Sequence, residues 1–326
     1  MSHSYPAVSV VMPILNEERH LASAVERVFD QDYIGEVELI LALGPSKDKT
    51  NQLAKVLSER YSKITLVDNP SGKTPAALNL AIKAASNQII VRLDGHALID
   101  KNYLTEAVET LIRTEADNVG GIMNAQGTTH FEKSVARAMT SKFGVGNAPF
   151  HVGGSEGEAL TVYLGVFRRE IFDKVGLFDE SFIRAQDWEM NHRIRLQGGK
   201  IWFNPKLKVT YRPRSNVAAL AKQYFQYGQG RRKISQTHKG TISLRYLTPP
   251  FTVLAITAGL ILGISGMLTE VKFLSIGFLA PAVYLVAVLL AVLGNVKNLS
   301  LKSMLYLPFV FICMHFCWGV GFLKPR

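Results

Sequence analysis

The sequence predicts an α/β domain followed by a membrane-embedded tail. Two observations carry this. Short apolar runs alternate with helical stretches through the first hundred positions, the mark of βαβ units built around a parallel sheet. The last part of the chain, 247–326, instead holds three long stretches free of Asp, Glu, Lys and Arg. A chain of 326 residues has room for two such parts. With 48% hydrophobic and 19% charged residues, a disordered or low-complexity protein is excluded. Two Cys exclude a disulfide scaffold or a Cys-rich zinc module.

Residues 8–12, Val-Ser-Val-Val-Met, read as a short buried strand. Pro13 is expected to end it, and Asn16 to cap a helix running to about Asp30. Residues 37–43 form a second strand, followed by the turn Gly44-Pro45-Ser46. Then come a helix over 48–61, a strand over 64–67, a helix over 75–85 and a strand over 88–93 that ends at Asp94. Ligands of such sheets bind beyond the carboxyl ends of the strands. Asn16, Glu17, Ser46, Asp48, Asp94 and His96 all stand just past strand ends, so one site is expected from this half.

The division expected is 1–215 for the α/β domain, 216–246 for an amphipathic helix with a basic linker, and 247–326 for the tail. The tail stretches lie near 247–268, 273–294 and 303–323. Each exceeds the roughly 20 residues that cross a hydrocarbon core. Pro249, Pro250 and Pro281 are tolerated in membrane helices. Cys313, His315 and Cys317 inside the third stretch read as packing residues rather than a metal site. Apolar residues at 217, 220, 221, 224 and 225 share one helical face, the pattern of a helix lying in a membrane interface.

The net charge of +11 points to anionic lipid, phosphorylated ligands or nucleic acid. Arg231, Arg232, Lys233, Lys239 and Arg245 precede the first apolar stretch, and Lys297 and Lys302 lie between the second and third. Lys272, Lys324 and Arg326 flank the opposite ends. This bias places the first domain in the cytoplasm, on a multi-pass protein of the cell (inner) membrane, and the far end of the chain across it. The first apolar run is too short for a signal peptide, in keeping with that orientation. No nucleic-acid partner is expected.

Four segments carry chemistry. Val8-Ser-Val-Val-Met-Pro-Ile-Leu-Asn-Glu17 is a strand leading to a helix or ligand loop. In Arg92-Leu-Asp-Gly-His96 a strand-end loop aims Asp94 and His96 at one point, and a carboxylate with an imidazole suits Mg²⁺ or Mn²⁺. Ala185-Gln-Asp-Trp-Glu-Met-Asn-His-Arg-Ile-Arg195 is a helix with Asp187, Asn191 and Arg195 along one face. Asp187 at its start suits a general base, and an Arg such as Arg193 suits a phosphate, while ion pairs on an exposed helix explain the same pattern. Gly165–Glu180 reads mainly as a packed unit through its Phe, Ile and Val spacing.

In this order the segments resemble family 2 glycosyltransferases over about residues 6–215. The resemblance implies a nucleotide-sugar-binding α/β fold of the GT-A type, with a mixed, mainly parallel sheet flanked by helices. It also implies inversion at the anomeric centre and a divalent cation, Mg²⁺ or Mn²⁺. The opening segment, with Pro13, Asn16 and Glu17, is similar to the family's first nucleotide-binding segment. Asp94-Gly-His96 resembles the metal-binding Asp-x-Asp, and Gln186-Asp187 resembles a Glu-Asp pair whose Asp deprotonates the acceptor hydroxyl. Asp-x-His, Gly120-Gly121, Phe143-Gly-Val-Gly146 and the ending around His315 resemble the succinoglycan-type exopolysaccharide branch, which also carries about three membrane helices.

Many relatives have Asp-Asp-Gly-Ser-Thr-Asp where this chain has Leu43-Gly-Pro-Ser-Lys-Asp48, and Ala-Arg-Asn where it has Ala77-Leu78-Asn79. Ser46, Asp48 and Asn79 remain as donor-binding candidates, and Lys73 is a candidate to supply phosphate charge. Ser71-Gly-Lys-Thr74 is not a P-loop, since Val67 stands where that motif needs Gly. The activity implied is transfer from a nucleotide-diphosphate sugar to a lipid-linked sugar or glycan in envelope or exopolysaccharide synthesis, with polysaccharide assembly partners. The alternatives are a polyprenyl-phosphate sugar synthase and an inactive membrane subunit of a polysaccharide assembly.

Overall fold

The computed structural model describes residues 5–324. Arg326, counted above among the basic residues at the ends of the apolar stretches, lies outside them. The chain folds as two units. Met1–Asn124 with Ala148–Tyr211 forms one, and Ala125–Asn147 with Arg212–Arg326 forms the other.

The first unit opens β1 (Val8–Ile14), α1 (Leu21–Phe29), β2 (Val37–Leu43), α2 (Thr50–Arg60), β3 (Ile64–Asp68), α3 (Thr74–Ala84) and β4 (Ile89–Arg92). It continues through β5 (Leu98–Ile99), α4 (Tyr103–Thr114) and β6 (Asn118–Ala125). In the second unit, α5 (His130–Met139) and α6 (Lys142–Val145) follow. Back in the first come α7 (Pro149–Val152), β7 (Gly157–Glu158), β8 (Tyr163–Arg168), α8 (Glu170–Val175), α9 (Gln186–Leu196) and β9 (Ile201–Tyr211).

The sheet has the order β3-β2-β1-β4-β8-β6-β9-β5, with β7 on β9. β3, β2, β1 and β4 are parallel, as the βαβ pattern requires. β8 then pairs antiparallel with both β4 and β6, so the sheet is mixed. Both faces of the parallel half are covered, which is why β1 and β2 read as almost continuous apolar runs. Val8, Val10, Met12, Leu39 and Leu41 face α1, α2 and α4 through Leu21, Leu57 and Leu104. Val11, Ile40, Ala42 and Ile90 face α3 and α9 through Leu78, Ile82 and Met190.

Two local expectations are corrected. Pro13 does not end β1, which runs to Ile14. Val11 O accepts from Leu93 N on the β4 side, where pairing stops, and Ile14 O accepts from Gly44 N on the β2 side. Pro13 faces the β4 side beyond the last pair, so its missing N–H costs no ladder bond. Asn16 is not a helix cap either: α1 starts at Leu21 after His20. Asn16 instead holds a left-handed backbone, φ 57°, which Asn tolerates better than most residues.

In the second unit α10 (Val217–Thr237) packs along the last helix rather than standing alone. α11 (Leu244–Leu268), a 3₁₀ turn (Lys272–Phe278), α12 (Leu279–Gly294) and α13 (Leu301–Leu323) complete the chain. Among the described residues, three helical stretches are long and apolar enough to cross a membrane: Leu244–Leu268, Lys272–Gly294 and Leu301–Leu323, with mean hydropathies of 2.1, 2.6 and 1.7. Glycines set the close approaches: a Cβ on Gly228 would lie 2.1 Å from Trp318 O, and one on Gly321 the same distance from Phe225 O. Small residues at such crossings let helix backbones meet.

Candidate active site

The loops after β1, β2 and β4 leave the same edge of the parallel half. Asn16 ties the first two together. Its N–H donates to Ser46 Oγ at 3.0 Å and its Oδ1 accepts from Lys47 N at 2.8 Å. Asp48 extends the lacing: Oδ1 accepts from the Thr50 hydroxyl at 2.5 Å and from Thr50 N at 3.1 Å, and Oδ2 accepts from Glu18 N at 3.3 Å. The Thr50 hydroxyl bond comes first among the causes that hold the Asp48 carboxyl below its ordinary pKa. Asn16, Ser46 and Asp48 are thus brought together, with their side chains spent largely on each other's loops. The segment before α3 joins them, since Asn69 N donates to Leu43 O at 2.8 Å. Exposed Lys73 stands at the start of α3.

The loop after β4 packs onto the first. A Cβ on Gly95 would lie 2.6 Å from Ile14 Cδ1 and 3.1 Å from Glu17 Cγ, so glycine lets the turn sit directly on Glu17. Glu17 Oε1 lies 2.7 Å from His96 Nδ1. Glu17 therefore holds one edge of the imidazole, the relation in which a carboxylate orients a histidine.

Arg92, at the end of β4, is the hub. Its side chain is 4% exposed, against 22% for Asp94 and 30% for Asp187. It pairs with Asp187 through one terminal nitrogen and lies 3.2 Å from Asp94 Oδ1 through the other. Burial opposes its charge, but Asp187 and Asp94 outweigh burial and hold the guanidinium above its ordinary pKa. α9 brings Asp187 here: Ala185 turns the chain with φ 63°, and Asp187 falls in the first helical turn, where the helix dipole favours a carboxylate. Two carboxylates 93 positions apart in sequence are thereby fixed to one cation. The sequence motifs give Arg92 no role. The available signal was an Arg closing an otherwise apolar buried strand, since a buried cation needs an anionic partner.

Two expected donor-site residues serve the scaffold instead. Arg193 binds Glu189 at 2.8 and 2.9 Å, donates to Leu177 O at 2.9 Å, and also bonds Val175 O and Gly176 O. Those bonds fasten the turn after α8, so Arg193 is not a phosphate ligand in this structure. Asn79 is buried; it donates to Phe178 O at 2.8 Å and accepts from Phe178 N at 2.9 Å, pinning the same segment to α3. Asn191 bonds Asn118 at 2.6 Å and Thr161 at 2.9 Å, so the Asp187–Asn191–Arg195 face is largely structural. Pro13 lies within β1, one residue before its end.

Among the described residues, no three His, Cys, Asp or Glu side chains gather to hold a metal by themselves. Asp94 and His96 offer two ligand side chains in one turn. That suits an ion such as Mg²⁺, which keeps waters and takes its other ligands from substrate phosphate.

Glycosyl transferase family 2 matches residues 9–176. The chain is 30% identical over 320 residues to the succinoglycan biosynthesis protein ExoA of Rhizobium meliloti (strain 1021), covering 97% of this chain and 93% of that protein. It is 27% identical over 326 residues to a dolichyl N-acetyl-α-D-glucosaminyl phosphate 3-β-D-2,3-diacetamido-2,3-dideoxy-β-D-glucuronosyltransferase of Methanococcus voltae, covering 97% and 96%. A crystal structure of residues 1–349 of S. aureus TarS shares the fold, with a TM-score of 0.51 at 14% identity, covering 94% of this chain and 90% of that one. The first unit is a GT-A-type domain, and the chain belongs to glycosyl transferase family 2.

Proposed function

We propose that the first unit transfers a sugar, with inversion, from a nucleotide-diphosphate sugar to a lipid-linked sugar or glycan at the cytoplasmic face of the cell membrane. The observation that carries this is the Arg92 hub, which fixes Asp187 beside Asp94 at the strand-end edge. Asp187 accepts the acceptor hydroxyl proton as that oxygen attacks the anomeric carbon from the face opposite the diphosphate. The bond from the anomeric carbon to the diphosphate oxygen breaks as the new glycosidic bond forms. A single displacement needs one base, and a positioned base contributes roughly 10²–10⁴-fold.

Asp94 and His96 would hold Mg²⁺ or Mn²⁺, with Glu17 keeping the imidazole oriented. When bound, the cation would stabilise charge on the leaving diphosphate. Lys73, at the start of α3, would add positive charge at the donor end. The lipid-linked acceptor is favoured by the three apolar helices and by the M. voltae relative, whose name describes transfer onto a dolichyl phosphate sugar. The alignment with the succinoglycan protein over nearly the whole chain favours a role in exopolysaccharide synthesis, within a polysaccharide assembly.

The test is turnover of a panel of labelled nucleotide sugars by the purified full chain with membrane lipid extract, followed by identification of the product. Sugar on a lipid-linked glycan supports the proposal. Sugar placed directly on polyprenyl phosphate would replace it, and no turnover with any donor would reduce the chain to a non-catalytic subunit.

A further inference from the structure

α13 is long enough to cross a bilayer, but both its ends are held by elements that stay on one side of it. At the N-terminal end, Arg137 of α5 donates to Lys297 O at 2.6 Å, Ser134 Oγ donates to Ser303 O at 2.5 Å, and His130 Nδ1 lies 3.0 Å from Ser300 Oγ. Midway, the carbonyl of Phe143 in α6 lies 2.9 Å from His315 Nε2, and the Phe143 ring meets Phe311 edge-on. At the C-terminal end, Arg232 of α10 donates to Phe322 O at 2.9 Å and Leu323 O at 3.1 Å. The start of α11 reaches the same end, where a Cβ on Gly319 would lie 2.7 Å from Pro249 O.

Residues 125–147, which hold α5 and α6, join the first unit's chain at both ends and carry Glu132, Lys133, Arg137 and Lys142. Crossing a hydrocarbon core twice as helix takes about 40 residues, and charges within it are costly. This segment therefore stays on the first unit's side. α10 directly continues the first unit's chain and carries Lys222 and Arg231-Arg232-Lys233, so it stays there too. A helix gripped by α5 at one end and α10 at the other has both ends on that side.

We infer that α13 lies in the plane of the membrane surface, leaving α11 and α12 as the inserted pair, and that its exposed stripe rests on anionic lipid. Leu301, Leu305, Phe309 and Val320 are exposed, and their spacing places them within about 100° of arc at the α-helical repeat. Such a stripe seats a helix at the headgroup and acyl boundary. The lipid is anionic because this unit carries sixteen Lys and Arg against two acidic residues, Glu132 and Glu270, whereas the first unit has 21 against 24. The inference rests on the membrane reading above but not on the glycosyl transfer.

The test places single cysteines at Lys239→Cys and Lys324→Cys in a full chain carrying Cys313→Ser and Cys317→Ser, and applies a membrane-impermeant maleimide to intact cells. Both positions should label only after lysis. Labelling of Lys324→Cys, but not Lys239→Cys, in intact cells would overturn the proposal. If the cysteine replacements disturb folding, sided reporters fused before Met1 and after Arg326 of the unaltered sequence ask the same question. A nitroxide on Phe309→Cys should report a depth of about 5–10 Å in vesicles containing phosphatidylglycerol, whereas a depth near the bilayer centre contradicts the in-plane helix. Recovery of the chain in the soluble fraction would overturn the membrane reading and this proposal together, while leaving transfer activity measurable.

Discussion

Arg92 has three jobs in one side chain: it closes β4, neutralises Asp94 and holds Asp187. Removing one partner of a buried pair leaves uncompensated charge, at about 3–5 kcal/mol. Arg92→Met should therefore lower stability by that order in denaturant titrations, and Arg92→Lys should recover stability better than activity. A compact ammonium does not replace a planar fork serving two carboxylates. Activity tracking stability through both variants would mean that Arg92 only holds the fold. A second residue gives a pH test. Burial raises the pKa of Glu38, but bonds from Ser9, Ser86 and Asn87 outweigh it, so the folded value lies below the ordinary 4.5. Its stabilisation is full above that unfolded value and disappears as pH falls through the lower folded one. Glu38→Gln should thus melt below wild type at pH 7, and the gap should narrow in acid. A gap that widens as pH falls would reverse the sign.

At the scale of elements, Gly120 and Gly121 in β6 show what close strand packing demands. A Cβ on Gly121 would sit 1.9 Å from Leu207 O of β9, and one on Gly120 would sit 2.8 Å from Tyr163 O of β8. Both obstacles are backbone, so neither moves cheaply. Gly121→Ala should cost at least the ~1–3 kcal/mol typical of overpacking, visible as a lower melting temperature; an unchanged melt would show that β6 and β9 can separate there. The same region marks the limit of legibility in the sequence. β1 to β4 could be read because each is an apolar run bounded by turn residues. β8 and β9 could not: Lys206 and Lys208 interrupt β9, and β8 lies inside the stretch that reads as a packed unit. The candidate site was legible where motif and strand end coincide, at Asn16, Glu17, Asp94 and His96, and where a motif opens a helix, at Asp187. It was not legible for Asn79 and Arg193, whose spacing looks alike whether they meet phosphate or backbone carbonyls. Nor does any pattern at 130–145 announce that α5 and α6 belong with the apolar helices.

Across the whole molecule, the positive excess belongs to the unit that holds the apolar helices, and the first unit is slightly acidic. Hydrophobic insertion and surface charge should therefore separate experimentally. Salt near 1 M, where the Debye length is about 3 Å, should leave the chain in the membrane pellet, because the proposed insertion of α11 and α12 would hold it there. Release into the supernatant would mean that charge alone holds it. The central claim, that Asp187 is the base of an inverting transfer, faces its most direct test in Asp187→Asn. With the full chain, a labelled nucleotide sugar and the acceptor identified from lipid extract, turnover should fall by ~10²–10⁴-fold while the donor dissociation constant stays within about threefold. Turnover within about threefold of wild type, or a product that retains the donor's anomeric configuration, would contradict it.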